Sequence, residues 1–150
     1  MKGIVVGVDG SPGSKRALEW AAAEARLRRV PLKLVSAWHI PVGLYGGMGW
    51  AGIDSEVIGG LGELAEDRLQ KACEDASAQL EGLEVERVVV EGLAAARLIE
   101  AASEAELLVV GTRGHGGFTG LLLGSVSQEC AHHSPCPIVI VPHGSEGRHA

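Results

Sequence analysis

Aromatic side chains are scarce in these 150 residues, which hold three tryptophans, one tyrosine and one phenylalanine. Proteins that hold single-stranded nucleic acid stack bases on aromatic rings along a basic groove. With so few rings and a formal net charge of -6, this chain is not expected to have a nucleic-acid partner. Long apolar runs are missing too. Nothing approaches the roughly 20 residues that a bilayer-spanning helix requires, and the opening run Ile4-Val5-Val6 is cut off at Asp9, too soon for a secretory leader. A soluble, cytoplasmic protein with no membrane association is therefore expected, despite a mean hydropathy of +0.18. Cysteine is sparse as well. Cys73, Cys130 and Cys136 make an odd count without C-x-x-C spacing, which gives neither a disulfide framework nor a zinc knuckle. His132 and His133 are adjacent, not four apart, so a helix would not aim both at one metal ion.

What is present reads as one α/β domain. The 46% hydrophobic and 21% charged fractions are those of ordinary globular chains, and short β-branched runs alternate with longer helical periods, the signature of βαβ units on a parallel sheet. Five strands fit, at Gly3 to Val8, Leu32 to Ala37, Val85 to Val90, Leu107 to Val110 and Pro137 to Pro142. The first is apolar almost throughout, as a strand buried on both faces must be. Ser11-Pro12 opens a helix to about Arg29, with a hydroxyl for its free amides and a proline already at the helical φ. A second helix is expected from about Ser55 to Leu80, on the stripe Leu61, Ala65, Leu69, Ala72, Ala76 and Leu80. A third carries Ala95, Leu98, Ile99 and Ala102, and the last runs from Ser125 to His133. Between His39 and Asp54 lies an apolar, glycine-rich loop that reads as a flap. The domain is expected to span residues 1–143, with a polar tail at 144–150.

The chemistry concentrates between the fourth strand and the last helix. Gly111 to Ser125 holds six glycines in fifteen residues. Glycine lets backbone amides approach a ligand closely, and a helix N-terminus adds unpaired donors and the positive end of a dipole. An anion is the natural guest. We place a phosphate at Gly124-Ser125, held by the Ser125 hydroxyl and the amides of Ser125 and Val126, with Arg113 supplying positive charge. Other glycine patterns fail. No lysine precedes Ser125 as a P-loop demands, and Gly114-His115-Gly116-Gly117-Phe118-Thr119 lacks the last glycine of a dinucleotide fingerprint. The chain has no Gly-x-Ser-x-Gly elbow, which argues against acyl transfer.

The segment resembles the nucleotide-binding members of the universal stress protein family, which carry Gly-x2-Gly-x9-Gly-Ser/Thr after the fourth strand. Gly111, Gly114, Gly124 and Ser125 occupy its fixed positions. The likeness extends to Ile4-Val5-Val6-Gly7-Val8-Asp9-Gly10-Ser11 at the start and to the run from Ser134 to Pro142 at the end. It implies an open five-stranded parallel sheet in the order 3-2-1-4-5 with helices on both faces, a Rossmann-like arrangement. Ligands of such sheets bind beyond the carboxyl ends of the strands, where the strand order reverses. Strands 1 and 4 flank that point, and the loops opened by Asp9 and Gly111 follow them.

On this resemblance ATP is the expected ligand, with Mg²⁺ accompanying it. Asp9 would accept from a ribose hydroxyl or act through the ion, which takes a carboxylate together with phosphate oxygens and waters; its alternative is a capping role at the first helix. Val8, Ala37 and Val110 would wall the adenine or belong to the core. Similar proteins dimerise through the C-terminal strand, so a homodimer through residues 138–141 is expected, which would also cover an exposed edge. The expected function is an ATP-binding regulatory, stress-response protein whose nucleotide occupancy modulates the dimer and a downstream protein partner. The alternatives are a slow ATPase or nucleotidyl-transfer enzyme of the same fold, and a nucleotide-free dimerisation module. The chain lacks Ser-Gly-Gly-x-Asp-Ser after its first strand, which weighs against the enzyme.

Overall fold

The computed structural model describes residues 2–40, 55–112 and 123–142. Five strands, β1 (Gly3–Gly7), β2 (Leu32–Trp38), β3 (Val85–Glu91), β4 (Ala105–Gly111) and β5 (Ile138–Val141), form one sheet in the order β3-β2-β1-β4-β5. All four pairings are parallel. This is the architecture that the resemblance implied.

Alternation along the central strands divides the core in two. Ile4 and Val6 of β1 and Leu107 and Val109 of β4 point into one cluster, while Val5, Leu108 and Val110 point into the other. Helices α1 (Pro12–Arg28) and α2 (Ser55–Asp75) cover the first face. Helices α4 (Ala94–Ala102) and α5 (Ser125–His133) cover the second. On α1 the residues against the sheet are Ala17, Leu18, Ala21, Ala22 and Ala25, all with 0% exposure. Four alanines let this helix lie close to the strands.

The ends of α1 follow the sequence signals. Ser11 is the N-cap, its hydroxyl accepting from the Ser14 amide at 3.2 Å, and Pro12 opens the helix. Arg29 closes it in the left-handed conformation with φ 59°. The second helix departs from expectation, because it is not continuous to Leu80. It ends at Asp75, and a single turn, α3 (Ser77–Leu80), follows a break at Ala76. Neither glycine nor proline causes the break. Ala76 is wholly buried in the core and its φ is -103°, so packing sets the bend while the amides of Ala76 and Leu80 keep their bonds to Ala72 and Ala76.

Of the loop read as a flap, only His39 and Ile40 fall within the described residues, and the tail at 144–150 lies outside them. Among the described residues no helix is long and apolar enough to cross a membrane.

Candidate functional site

Strand order reverses between β1 and β4, so their carboxyl ends open a crevice at the switch point. On the β1 side the pairing with β2 persists one residue past the strand, the Val8 amide donating to Val35 at 2.9 Å. Asp9 then starts a tight turn. Its Oδ1 accepts from the Ser11 amide at 2.9 Å and from the Ser11 hydroxyl at 2.5 Å, and its own amide donates to Ser14 Oγ at 3.3 Å. Gly10 sits between them at φ +83°, where an L side chain is strained. Asp9 therefore does not cap α1 itself. Its carboxylate orients the serine that does.

On the β4 side, Gly111 meets the start of α1. A Cβ at this position would stand 2.8 Å from the carbonyl oxygen of Gly13, so glycine is required for the two backbones to touch. That contact sets the two loops side by side. The Thr112 amide donates to the Val141 carbonyl at 3.1 Å, and the Gly124 amide donates to the Thr112 carbonyl at 2.6 Å. Ser127 reinforces this closure, its hydroxyl lying 2.9 Å from the Thr112 carbonyl and 3.0 Å from that of Gly124. The N-cap of α5 is Gly124, and among the described residues no side chain caps the helix. Gly124 has no side chain to do for the first-turn amides of α5 what Ser11 does at α1.

The residues picked out from sequence fall into three groups. Asp9, Gly111, Gly124 and Ser125 flank the crevice, with Ser125 exposed. Val8 and Val110 are each 3% exposed and belong to opposite core clusters, Ala37 is half-buried at the end of β2 beside Val90, and the side chain of Val126 packs against the second cluster. Arg113 and Gly114 lie outside the described residues. Three further residues shape the site without having been singled out, namely Gly13, Ser14 and Ser127. Ser14 could have been suspected from its place three residues after the capping Ser11, whereas nothing in the sequence marks Gly13 or Ser127. Among the described residues no group of three or more histidines, cysteines or carboxylates could hold a metal ion.

Comparison with known proteins matches residues 1–142 to the model described as "Universal stress protein family". The chain is 36% identical over 146 residues to "Universal stress protein Rv2623" of Mycobacterium tuberculosis, covering 93% of this chain and 47% of that protein. It thus spans about half the length of the curated relatives it matches. Among solved structures, a universal stress protein in complex with cAMP is 30% identical with a TM-score of 0.67, covering 95% of this chain and 98% of the other. The universal stress protein from Archaeoglobus fulgidus in complex with dAMP is 26% identical, also with a TM-score of 0.67, covering 94% and 98%.

Proposed function

The chain belongs to the universal stress protein family, and from that membership we propose that it binds an adenine nucleotide in the crevice between the Asp9 turn and the start of α5, as a regulatory protein. The observation that carries this reading is the start of α5, held to the end of β4 by the Thr112 and Ser127 bonds, with Gly111 of that strand against Gly13 at the start of α1. Amides held in place by the Thr112 and Ser127 bonds are ready to receive phosphate oxygens without reorganising. The two relatives solved with cAMP and with dAMP support an adenine nucleotide as the guest.

Within this reading the phosphates lie at Gly124, Ser125 and Val126, with Gly114 and Arg113 contributing from the intervening loop. Val8, Ala37 and Val110 border the base. ATP is the physiological nucleotide, and Mg²⁺ comes with it. The donor set fits such an ion. A single oriented carboxylate, Asp9, suits a cation that takes its remaining ligands from phosphate and water. The protein binds the nucleotide and does not turn it over at speed. Occupancy acts on a cytoplasmic homodimer formed through β5, the strand at the end of the sheet, and through it on a protein partner.

Calorimetric titration with AMP, cAMP and ATP, with and without Mg²⁺, tests the binding. Saturable one-to-one binding is expected, and the absence of heat with all of them overturns the proposal. Sedimentation tests the assembly, where a mass of one 15.5 kDa chain at every concentration removes the dimer.

A further inference from the structure

We propose that the outer face of helices α1 and α2 is an interaction surface for a second copy of this chain, with α1 of each copy lying on α2 of the other. Among the described residues four large apolar side chains are exposed, and three of them, Trp20, Leu27 and Leu64, belong to this one helical layer. On α1, Trp20 and Leu27 stand two turns apart and share a stripe with the exposed Ala23. The opposite side of the helix, from Ala17 to Ala25, packs on the sheet, so the stripe points away from the core. Leu27 is 80% exposed. A lone surface leucine needs no explanation, but an apolar stripe rimmed by charge marks a contact surface.

Charge selects the occupant. From Lys15 to Arg29 the sequence carries five cations and two carboxylates, whereas from Glu63 to Asp75 it carries five carboxylates and two cations. Among the described residues Lys15, Arg16 and Arg26 have no carboxylate partner. Arg16 and Arg26 donate to backbone carbonyls, which leave their charge uncompensated. Glu63, Glu66 and Asp67, the exposed carboxylates around Leu64, have no cation partner among those residues either. The two helices cover the same face of the sheet. A two-fold axis running between them seats α1 on the partner's α2 and α2 on the partner's α1, an isologous contact. Opposite charges then meet twice, while α1 on α1 would set like charges together. The area is sufficient. At 1.5 Å per residue the 17-residue α1 is about 25 Å long. Two helices about 10 Å wide offer roughly 500 Å² per copy and roughly 1,000 Å² in the pair, the size of a reversible contact.

Sedimentation of the full chain over a wide concentration range reads the association. A reversible doubling of mass is expected, on top of any pairing through β5. It should be lost as ionic strength rises from about 0.01 to about 1 M, where the screening length shortens from about 30 Å to about 3 Å. Two charge-reversed variants make the test specific. Lys15→Glu/Arg16→Glu turns the start of α1 acidic, and Glu63→Lys/Asp67→Lys turns α2 basic. Each variant alone should lose the doubling, because both of its contacts oppose like charges. Mixed in equal amounts the two should regain it, since acidic α1 then meets basic α2 and the two unaltered helices meet each other. The mixture keeps the parent's average net charge, so regained mass reports the contacts and not the overall repulsion. Leu27→Ser, at a side chain already in water, should weaken the association roughly tenfold. Thermal melts establish that each variant is folded. Equal masses for parent and variants at every concentration, or a mixture that stays apart, overturns the proposal. Association that survives both salt and charge reversal overturns it too, and leaves β5 as the interface.

Discussion

The Gly124 amide donates to the Thr112 carbonyl at 2.6 Å, so a main-chain bond joins the two ends of the glycine-rich loop. This has a direct bearing on Gly124. Its φ of -78° and ψ of 174° are open to any residue, so its backbone conformation does not demand glycine. Gly124→Val is expected to keep its folded stability and to weaken AMP binding by roughly tenfold or more, the cost of forcing a side chain into an occupied space. Calorimetry and thermal melts on the same preparation check it. Parent-like affinity would remove the start of α5 from the site.

Gly111 behaves in the opposite way. A methyl group there would press on the Gly13 carbonyl at 2.8 Å, so Gly111→Ala should lower the unfolding free energy by about 1–3 kcal/mol. Urea denaturation measures it. A stability equal to the parent's would show that β4 and α1 can separate freely, and the fixed spacing of the two loops would then be lost as an argument.

Asp9 combines a structural task with a chemical one, and one variant separates them. Asp9→Asn keeps an oxygen to accept from Ser11 but removes the charge. Stability should fall by no more than about 1 kcal/mol, AMP affinity should persist, and the gain in ATP affinity on adding Mg²⁺ should vanish. If that gain survives intact, Asp9 has no part in holding the ion.

Burial pushes the Cys130 thiol from 9.0 up to about 11. An acid whose proton is held more tightly in the native state stabilises the fold fully below the unfolded value. The benefit fades as pH rises from 9.0 toward about 11. In that window native stability should fall by up to about 1.4 kcal/mol per pH unit from this group. Cys130→Ala should flatten the slope. Urea melts on either side of pH 9.0 give the comparison, and identical slopes in the two proteins would show that the thiol is not what titrates.

The sheet was legible in the sequence because its central strands are buried on both faces. Runs such as Ile4-Val5-Val6 and Leu107-Leu108-Val109-Val110 need no partner information to be recognised. The caps of α1 were legible for a similar reason, since Ser11-Pro12 acts through neighbours in the chain. The bend at Ala76 was not, because it answers to packing against residues far away in sequence. The crevice divides along the same line. Spacing picked out Gly111 and Gly124, but the contact of Gly111 with Gly13 and the bridging by Ser127 come from tertiary approach. The loop residues Arg113 and Gly114 and the segment at 41–54 fall outside the described residues.

Thr112 has a bond on each side. Its amide is anchored to Val141 in the outermost strand, while its carbonyl holds the base of the loop. Rim and crevice thus share a residue, and two consecutive main-chain bonds lead from Val141 in the outer strand to Gly124 at the start of α5.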